Sequence, residues 1–397
     1  MKSKFILILV FLCMLIGTNC FQYAFIDRAF IGRAELTLSF LVLLSAFFLR
    51  KKEKGGDLPF EKLLKYFFVI PMLSIISIIT LYNESIEWEL RFVVIASNIF
   101  FYYLFRTFQI GEKTLVNVVF AFSLVAFCIQ LLQQMNPSIA VFGIVTDDSI
   151  YRGNVAEIRN GLYRFRIGTT VCTLLSLYYF LQRWLMKKTL MDSVLLLVFL
   201  SSMYLYLTRQ IMISTIVTIV FSMFFVQTSI PKKRKIGIIV SVCLVILSLW
   251  SYSDVLFGEL ASKTREESTE DNIRSACFDF YWSKITGNPI GFLFGSGFPV
   301  ELDKWKFSYG LYPSDIGIVG EWFHHGIFQI LLYFYVVYLV LLKYRRVLPG
   351  YMILFVFSTF CTSPLIFPYR KSYEYLIWAI VFYICDMHIS QSKNKIR

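Results

Sequence analysis

Long apolar runs, interrupted by short clusters of lysine and arginine, make up most of this chain of 397 residues. A helix needs about 20 predominantly apolar residues to cross a bilayer. On that measure the pattern predicts a retained first helix in FILILVFLCMLIGTNC, then spans near 34–49, 63–81, 92–105, 115–132 and 167–181. Further spans are expected near 190–208, 211–228, 236–252, 322–342, 351–367 and 376–389. The first run has the basic start of a signal peptide. Retention is the expectation, because Thr18 and Asn19 before Cys20 are not the small residues that a cleavage site prefers. The predicted fold class is an all-α polytopic membrane protein of about twelve transmembrane helices, packed as a single bundle over 1–397. Two long polar segments, 134–166 and 253–321, are expected as loops.

The cationic clusters test this map. MKSK, RKKEK, RWLMKK, PKKRK, KYRR and SKNKIR all fall on one side if the spans alternate, and that side is then cytoplasmic. Both termini are cytoplasmic in consequence. Both long loops and the tight turn at Arg209 emerge on the external face, and the polar stretch from about 252 to 326 becomes the segment around which any chemistry is organised.

Composition agrees with the pattern: 57% of the residues are hydrophobic and 16% charged, which excludes a soluble multidomain chain. The net charge of +13 is explained by membrane topology, so no nucleic-acid partner is expected. The eight cysteines lie in or at the ends of apolar runs, except Cys277, and read as small buried side chains without a disulfide framework. The three histidines are too scattered for a metal cluster, and no hydrolase elbow or metalloprotease motif is present. The glycines of GNPIGFLFGSGF are expected to form turns.

External arginine is in excess. Arg152, Arg159, Arg164 and Arg166 lie in the first loop, Arg209 at a tight turn, Arg274 in the second loop and Arg370 near the last span. Guanidinium binds phosphate oxygens in a bidentate, charge-assisted way. The alternative for the loop arginines is pairing with neighbouring acids such as Asp147, Asp148, Glu157, Glu266 and Glu270. Arg209 has no acidic neighbour in sequence, and an ionisable group at membrane depth is costly enough to be a functional candidate. Asp315 either caps the helix that follows it or faces a substrate. Glu321 and His325 share one helical face, either as an interfacial pair or as working groups. Trp282, Trp305 and Tyr309 lie in the second loop, where aromatic rings can anchor at the interface or stack on sugars.

The order of these features resembles the O-antigen and capsule repeat-unit polymerases, the Wzy-type enzymes, which are related to the O-antigen ligases. The residues that carry the resemblance are YLTRQIMIST at the tight turn, Arg274, Trp282, Asn288, Pro289 and Gly295 to Phe298 in the large loop, and DIGIVGEWFHHGIFQILLY after it. It covers mainly 160–345. Ligases of that superfamily usually carry a histidine near the start of the helix after the large loop; Asp315 stands there, which favours the polymerase.

The resemblance implies a glycosyltransferase in the bacterial cytoplasmic (inner) membrane. A glycan would pass from polyprenyl diphosphate to a sugar hydroxyl of a second lipid-linked repeat unit at the outer face. It implies no cofactor and no metal, and a chain-length regulator as a partner beside membrane lipid. The roles expected on that basis are Arg209 and Arg274 on the diphosphate, Arg159, Arg164 and Arg166 with Glu321 binding substrate, and Asp315 or His325 orienting the acceptor. The competing classes are a ligase-type transferase, a flippase for lipid-linked oligosaccharide, which also needs cations facing a diphosphate, and a membrane acyltransferase.

Overall fold

A computed structural model describes residues 2–18, 28–49, 58–139, 141, 157–159, 162–164, 168–206, 208–226, 273–362 and 371–396. The fold is all-α, with one small hairpin. The helices are α1 (Lys2–Gly17), α2 (Arg28–Leu49), α3 (Glu61–Tyr82), α4 (Glu87–Ala96), α5 (Phe101–Thr107) and α6 (Glu112–Met135). They continue as α7 (Thr170–Lys187), α8 (Leu190–Leu205), α9 (Arg209–Phe225), α10 (Ile273–Thr286), α11 (Pro289–Phe294), α12 (Glu301–Tyr309), α13 (Ile318–Tyr338), α14 (Gly350–Cys361) and α15 (Ser372–Ile396). Among the described residues four stretches are long and apolar enough to cross a membrane: Ala29–Phe48, Glu61–Tyr82, Glu112–Met135 and Ile318–Lys343. Lys4–Gly17, Leu190–Leu205, Gln210–Phe225 and Gly350–Cys361 are shorter apolar helices. The chain is a helical membrane protein.

Its centre is α15. From Tyr375 to Asp386 every side chain is buried, and a helix that is apolar on all sides has to lie inside a bundle. The side chains of α1, α3, α5, α6, α7 and α14 pack into the same continuous core.

Polar contacts at the ends of the helices fix their directions. At one end, Asp386 of α15 accepts the amides of Phe60 and Glu61 at the start of α3, and Glu61 forms an ion pair with Arg106 at the end of α5. There too, Glu112 at the start of α6 accepts from the Tyr351 hydroxyl of α14 and meets His388 of α15 at 2.8 Å. At the other end, Glu35 of α2 accepts the Ser372 amide at the start of α15, and Thr169 before α7 meets Tyr206 after α8. The helices tied at these ends therefore pass back and forth between them, α4 and α5 together making one pass.

The span read at 92–105 is interrupted. A tight 3-10 turn, Ser97–Phe100, joins α4 to α5, with Ser97 and Asn98 buried and bonded to Ser39 of α2. The span read at 236–252 and the first part of the large loop lie outside the described residues.

The remainder of the large loop is not a loop. Helices α10, α11 and α12 and a 3-10 turn, Pro313–Ile316, form a layer at the second end of the bundle, here called the crown. It has a core of its own, in which Cys277, Tyr281, Ile285, Phe298, Leu302 and Trp305 pack on Val319 and Phe323 of α13. Apolar residues four apart on α10 (277, 281, 285) supply its inner face. Trp305 is therefore a core residue and is not offered to a sugar, whereas Tyr309 is exposed. Pro289–Phe294 is a helix where turns were expected, with the Asn288 side chain capping it through the Ile290 amide. Cys128, read as buried, is exposed, while Cys13, Cys172, Cys277 and Cys385 are buried.

Candidate functional site

Of the sequence-predicted residues, Arg274 and Asp315 lie exposed on the crown, Glu321 and His325 are buried beneath it, and Arg209, Arg159 and Arg164 lie on other elements. Arg274 lies exposed on α10, one turn before Cys277. The Cys277 thiol reaches the Tyr312 carbonyl at 3.3 Å, which seats α10 on the turn that carries Asp315. Asp315 is exposed and does not cap α13: the capping position belongs to Gly317, and no side chain bonds there. Its charge nevertheless bears on Cys277. Burial first, and then Asp315, pushes the thiol up to about 11. Arg274 and Asp315 are thus both exposed, one on α10 a turn before Cys277 and the other on the turn that Cys277 contacts.

Arg209 opens α9, directly after Thr208, as the tight turn predicts. A cation in the first turn opposes the helix dipole, which favours anions there. Next to it, the Gln210 amide donates to the Thr362 carbonyl at 2.7 Å and ties this turn to the end of α14. Arg159 and Arg164 lie in a two-stranded hairpin, β1 (Glu157–Arg159) and β2 (Leu162–Arg164), whose register sets Arg164 opposite Glu157. Gln134, at the end of α6, holds this hairpin through both backbone groups of Tyr163. Arg166 lies outside the described residues.

The buried group centres on a break in α13. Gly326 has φ 72° and ψ −177°, a conformation that side chains with a Cβ rarely adopt. The carbonyls released by the break are taken up by the Gly295–Phe298 segment: the Ser296 amide donates to Phe323 and the Gly297 amide to His324 at 2.9 Å. Irregular backbone at membrane depth persists only where its polar groups are satisfied in this way. His324, fully buried, returns the contact through Nδ1 to the Gly297 carbonyl at 2.7 Å and stacks on Phe298. A carbonyl only accepts, so Nδ1 carries a proton. His325 and Glu321 are 1% and 7% exposed. Both lie inside the protein rather than on its surface. The carboxyl groups of Glu321 and Glu89 are both close enough to Tyr375 of α15 to act on it electrostatically.

Glu89 escaped the sequence reading. It is 1% exposed, accepts the Phe298 amide on Oε2 at 3.0 Å, and meets the Ser74 hydroxyl of α3 with Oε1 at 2.6 Å. Nearby, both oxygens of Glu84 approach the Val300 amide, at 3.0 and 2.9 Å. The α3–α4 corner therefore grips the crown through alternate backbone amides, 298 and 300. Among the described residues no group of three or more His, Cys, Asp or Glu side chains is placed to hold a metal ion. His388 is bonded to Glu112 at the far end of the bundle.

Comparison with protein families, characterised proteins and solved structures finds no match to this chain.

Proposed function

We propose that the protein is a Wzy-type repeat-unit polymerase, a membrane glycosyltransferase that uses polyprenyl-diphosphate-linked oligosaccharides. The observation that carries this reading is that Arg274 and Asp315, a guanidinium and a carboxylate, are both exposed on the two crown elements joined through Cys277, above a helical membrane bundle. In the proposed reaction the acceptor hydroxyl attacks the anomeric carbon of the donor glycan. The bond from that carbon to the diphosphate oxygen breaks, and the diphosphate departs with the electron pair. Asp315 takes the acceptor proton as general base. Arg274 and Arg209, assisted by Arg159, Arg164 and Arg166, hold the diphosphate and stabilise its charge, which is the main requirement of a leaving group that is already anionic. Asp315 is preferred to His325 as the acceptor-facing group because it alone of the two is exposed.

This reading includes the twelve-span map, with the crown at the outer face of the bacterial cytoplasmic membrane, both termini cytoplasmic and a chain-length regulator as partner. The helices that pass back and forth between the two ends support it, and so do the cationic clusters.

The break in α13 favours a second reading. Interrupted helices with buried ionisable groups near the break are the usual architecture of secondary transporters, so a flippase for lipid-linked oligosaccharide is the alternative. One experiment separates the two. A strain deleted for the gene is complemented with wild type, Arg274→Ala or Asp315→Asn, each confirmed in the membrane, and surface polysaccharide is resolved on a gel. The polymerase reading expects single repeat units in the deletion and a ladder restored only by wild type. Lipid-linked units trapped on the cytoplasmic face of the deletion would establish the transporter instead.

A further inference from the structure

A groove of about 430 Å³ runs between α1 and α6 on the outside of the bundle. Its size falls in the range of ligand sites, about 300–1,000 Å³. The half-buried Leu7, Phe11 and Val118 form its floor, and the exposed Ile8, Leu12, Asn117 and Ala121 form its walls. On its buried side the Phe11 ring meets Phe122 at 5.6 Å and joins the two helices.

Each wall continues into a lysine. Lys4, Ile8 and Leu12 follow one another at four-residue spacing on α1, as do Lys113, Asn117 and Ala121 on α6, and side chains so spaced lie on one face of a helix. Gly17, at the end of α1, lies against Ser372 at the crown end of the bundle, so α1 starts at the end where α6 starts. Both lysines therefore stand at the same mouth of the groove, away from the crown. Both are exposed, and among the described residues neither has an ion-pair partner. Glu112, the acid next to Lys113 in sequence, is engaged with Tyr351 and His388. Asn117 lies one turn inside the span Glu112–Met135, where an amide facing hydrocarbon without a partner is costly.

We propose that this groove binds one anionic glycerophospholipid, its phosphate between Lys4 and Lys113 and an acyl chain along Ile8, Leu12 and Ala121. Each part of the groove has a use in that complex. The ammonium groups donate to phosphate oxygens, and the Asn117 amide donates to an ester carbonyl just below them. Basic pockets between membrane helices are where anionic head groups bind. An apolar partner helix would fill the same walls, but it would leave both lysines without a counter-charge. The site lies at the opposite end of the bundle from Arg274 and Asp315 and stands apart from the proposed glycosyl transfer.

The test is native mass spectrometry of the detergent-purified full chain with phosphatidylglycerol or phosphatidylcholine of the same acyl chains. Wild type is expected to hold one phosphatidylglycerol on the order of 10-fold more tightly than phosphatidylcholine, as two cations beside an anionic head group supply. Lys4→Gln combined with Lys113→Gln should erase that preference. Lys65→Gln, an exposed lysine of α3 that does not line the groove, should keep it. Ala121→Phe fills the groove from one wall and Leu12→Phe from the other, so that one variant serves if the other does not fold. Either should weaken the binding of both lipids. A preference that survives in the double glutamine variant overturns the proposal. So does lipid binding untouched by a folded filling variant, because the lipid then adsorbs elsewhere. A wild-type dimer without bound phosphatidylglycerol, made monomeric by a filling variant, would make the groove an interface between helices and overturn it as well.

Discussion

Asp386 accepts the Phe60 amide at 3.1 Å, so a carboxylate of the last helix closes the start of the third from 326 residues away. The same carboxylate accepts from the Glu61 amide and the Tyr102 hydroxyl, both at 2.8 Å, and is 1% exposed. Three donors from two other helices thus depend on one residue of α15. Leaving a buried donor unsatisfied costs about 1–3 kcal/mol. Asp386→Ala is expected to lower the thermal midpoint of the detergent-solubilised protein markedly, and Asp386→Asn, which keeps an acceptor oxygen, to lower it less. Equal midpoints for the alanine variant and wild type would show that this link carries no stability.

Gly326 separates a backbone requirement from simple packing. A Cβ there would lie 2.2 Å from the Leu293 carbonyl oxygen, in a conformation already unfavourable for alanine. Gly111, which precedes α6 with ordinary extended backbone, has nothing within 4 Å of the equivalent position. Gly326→Ala is expected to undock the crown and expose α11 to limited proteolysis. Gly111→Ala should cost under about 1 kcal/mol, the range for exchanging a capping glycine. A protease pattern for Gly326→Ala identical to wild type would contradict the role given to the break.

The apolar helices were legible in the sequence because membrane helices announce themselves by length and hydropathy. The crown was not. Helix α10 carries Arg274, Asp279 and Lys284 among its apolar residues, and its Cys277, Tyr281 and Ile285 stripe is too narrow to stand out within a polar stretch. Glu89 was hidden for a related reason. It ends the acidic run NESIEWE, which reads as a solvated turn, and only the fold shows that Glu84 and Glu89 turn inward to meet backbone amides 298 and 300. The hairpin did leave a signal. Asn160-Gly161 between the two strands is a strong local mark of a two-residue turn and went unused.

Trp305 provides a test of the crown as a folded unit. It is 7% exposed, packs against Phe280, Tyr281 and Phe323, and has the Lys284 ammonium 5.2 Å from its ring centroid. Removing a buried tryptophan side chain costs about 3–5 kcal/mol. Trp305→Ala is expected to raise amide hydrogen exchange throughout α10 and α12 while leaving α15 protected. Exchange confined to the immediate neighbours of Trp305 would mean that the crown is not cooperative.

The turn that carries Asp315 can be probed through the buried Cys277 thiol bonded to it. With the Cys277 thiol pushed up to about 11, little thiolate forms near neutral pH, so alkylation should accelerate as pH rises toward that value. Asp315 contributes to the rise by opposing a second negative charge. Asp315→Asn should therefore shift the profile of labelling rate against pH to lower pH, in a protein whose exposed Cys128 has been replaced by serine. An unchanged profile would place the Asp315 charge too far from Cys277 to act.

Arg274 and Asp315 predict different kinetic defects if they divide the proposed reaction between them. Arginine offers a planar fork of donors to a diphosphate, and lysine only a point charge. Arg274→Lys should retain part of the polymer ladder and Arg274→Ala none, with the donor KM raised in both. Asp315→Asn keeps the shape of the side chain and removes its basicity. It is expected to bind donor normally and to lose about 10²–10⁴-fold in kcat, the usual contribution of a positioned general base. Titration of donor with each purified variant separates these outcomes. A raised donor KM in Asp315→Asn with kcat intact would move that carboxylate from the acceptor to the donor side of the site.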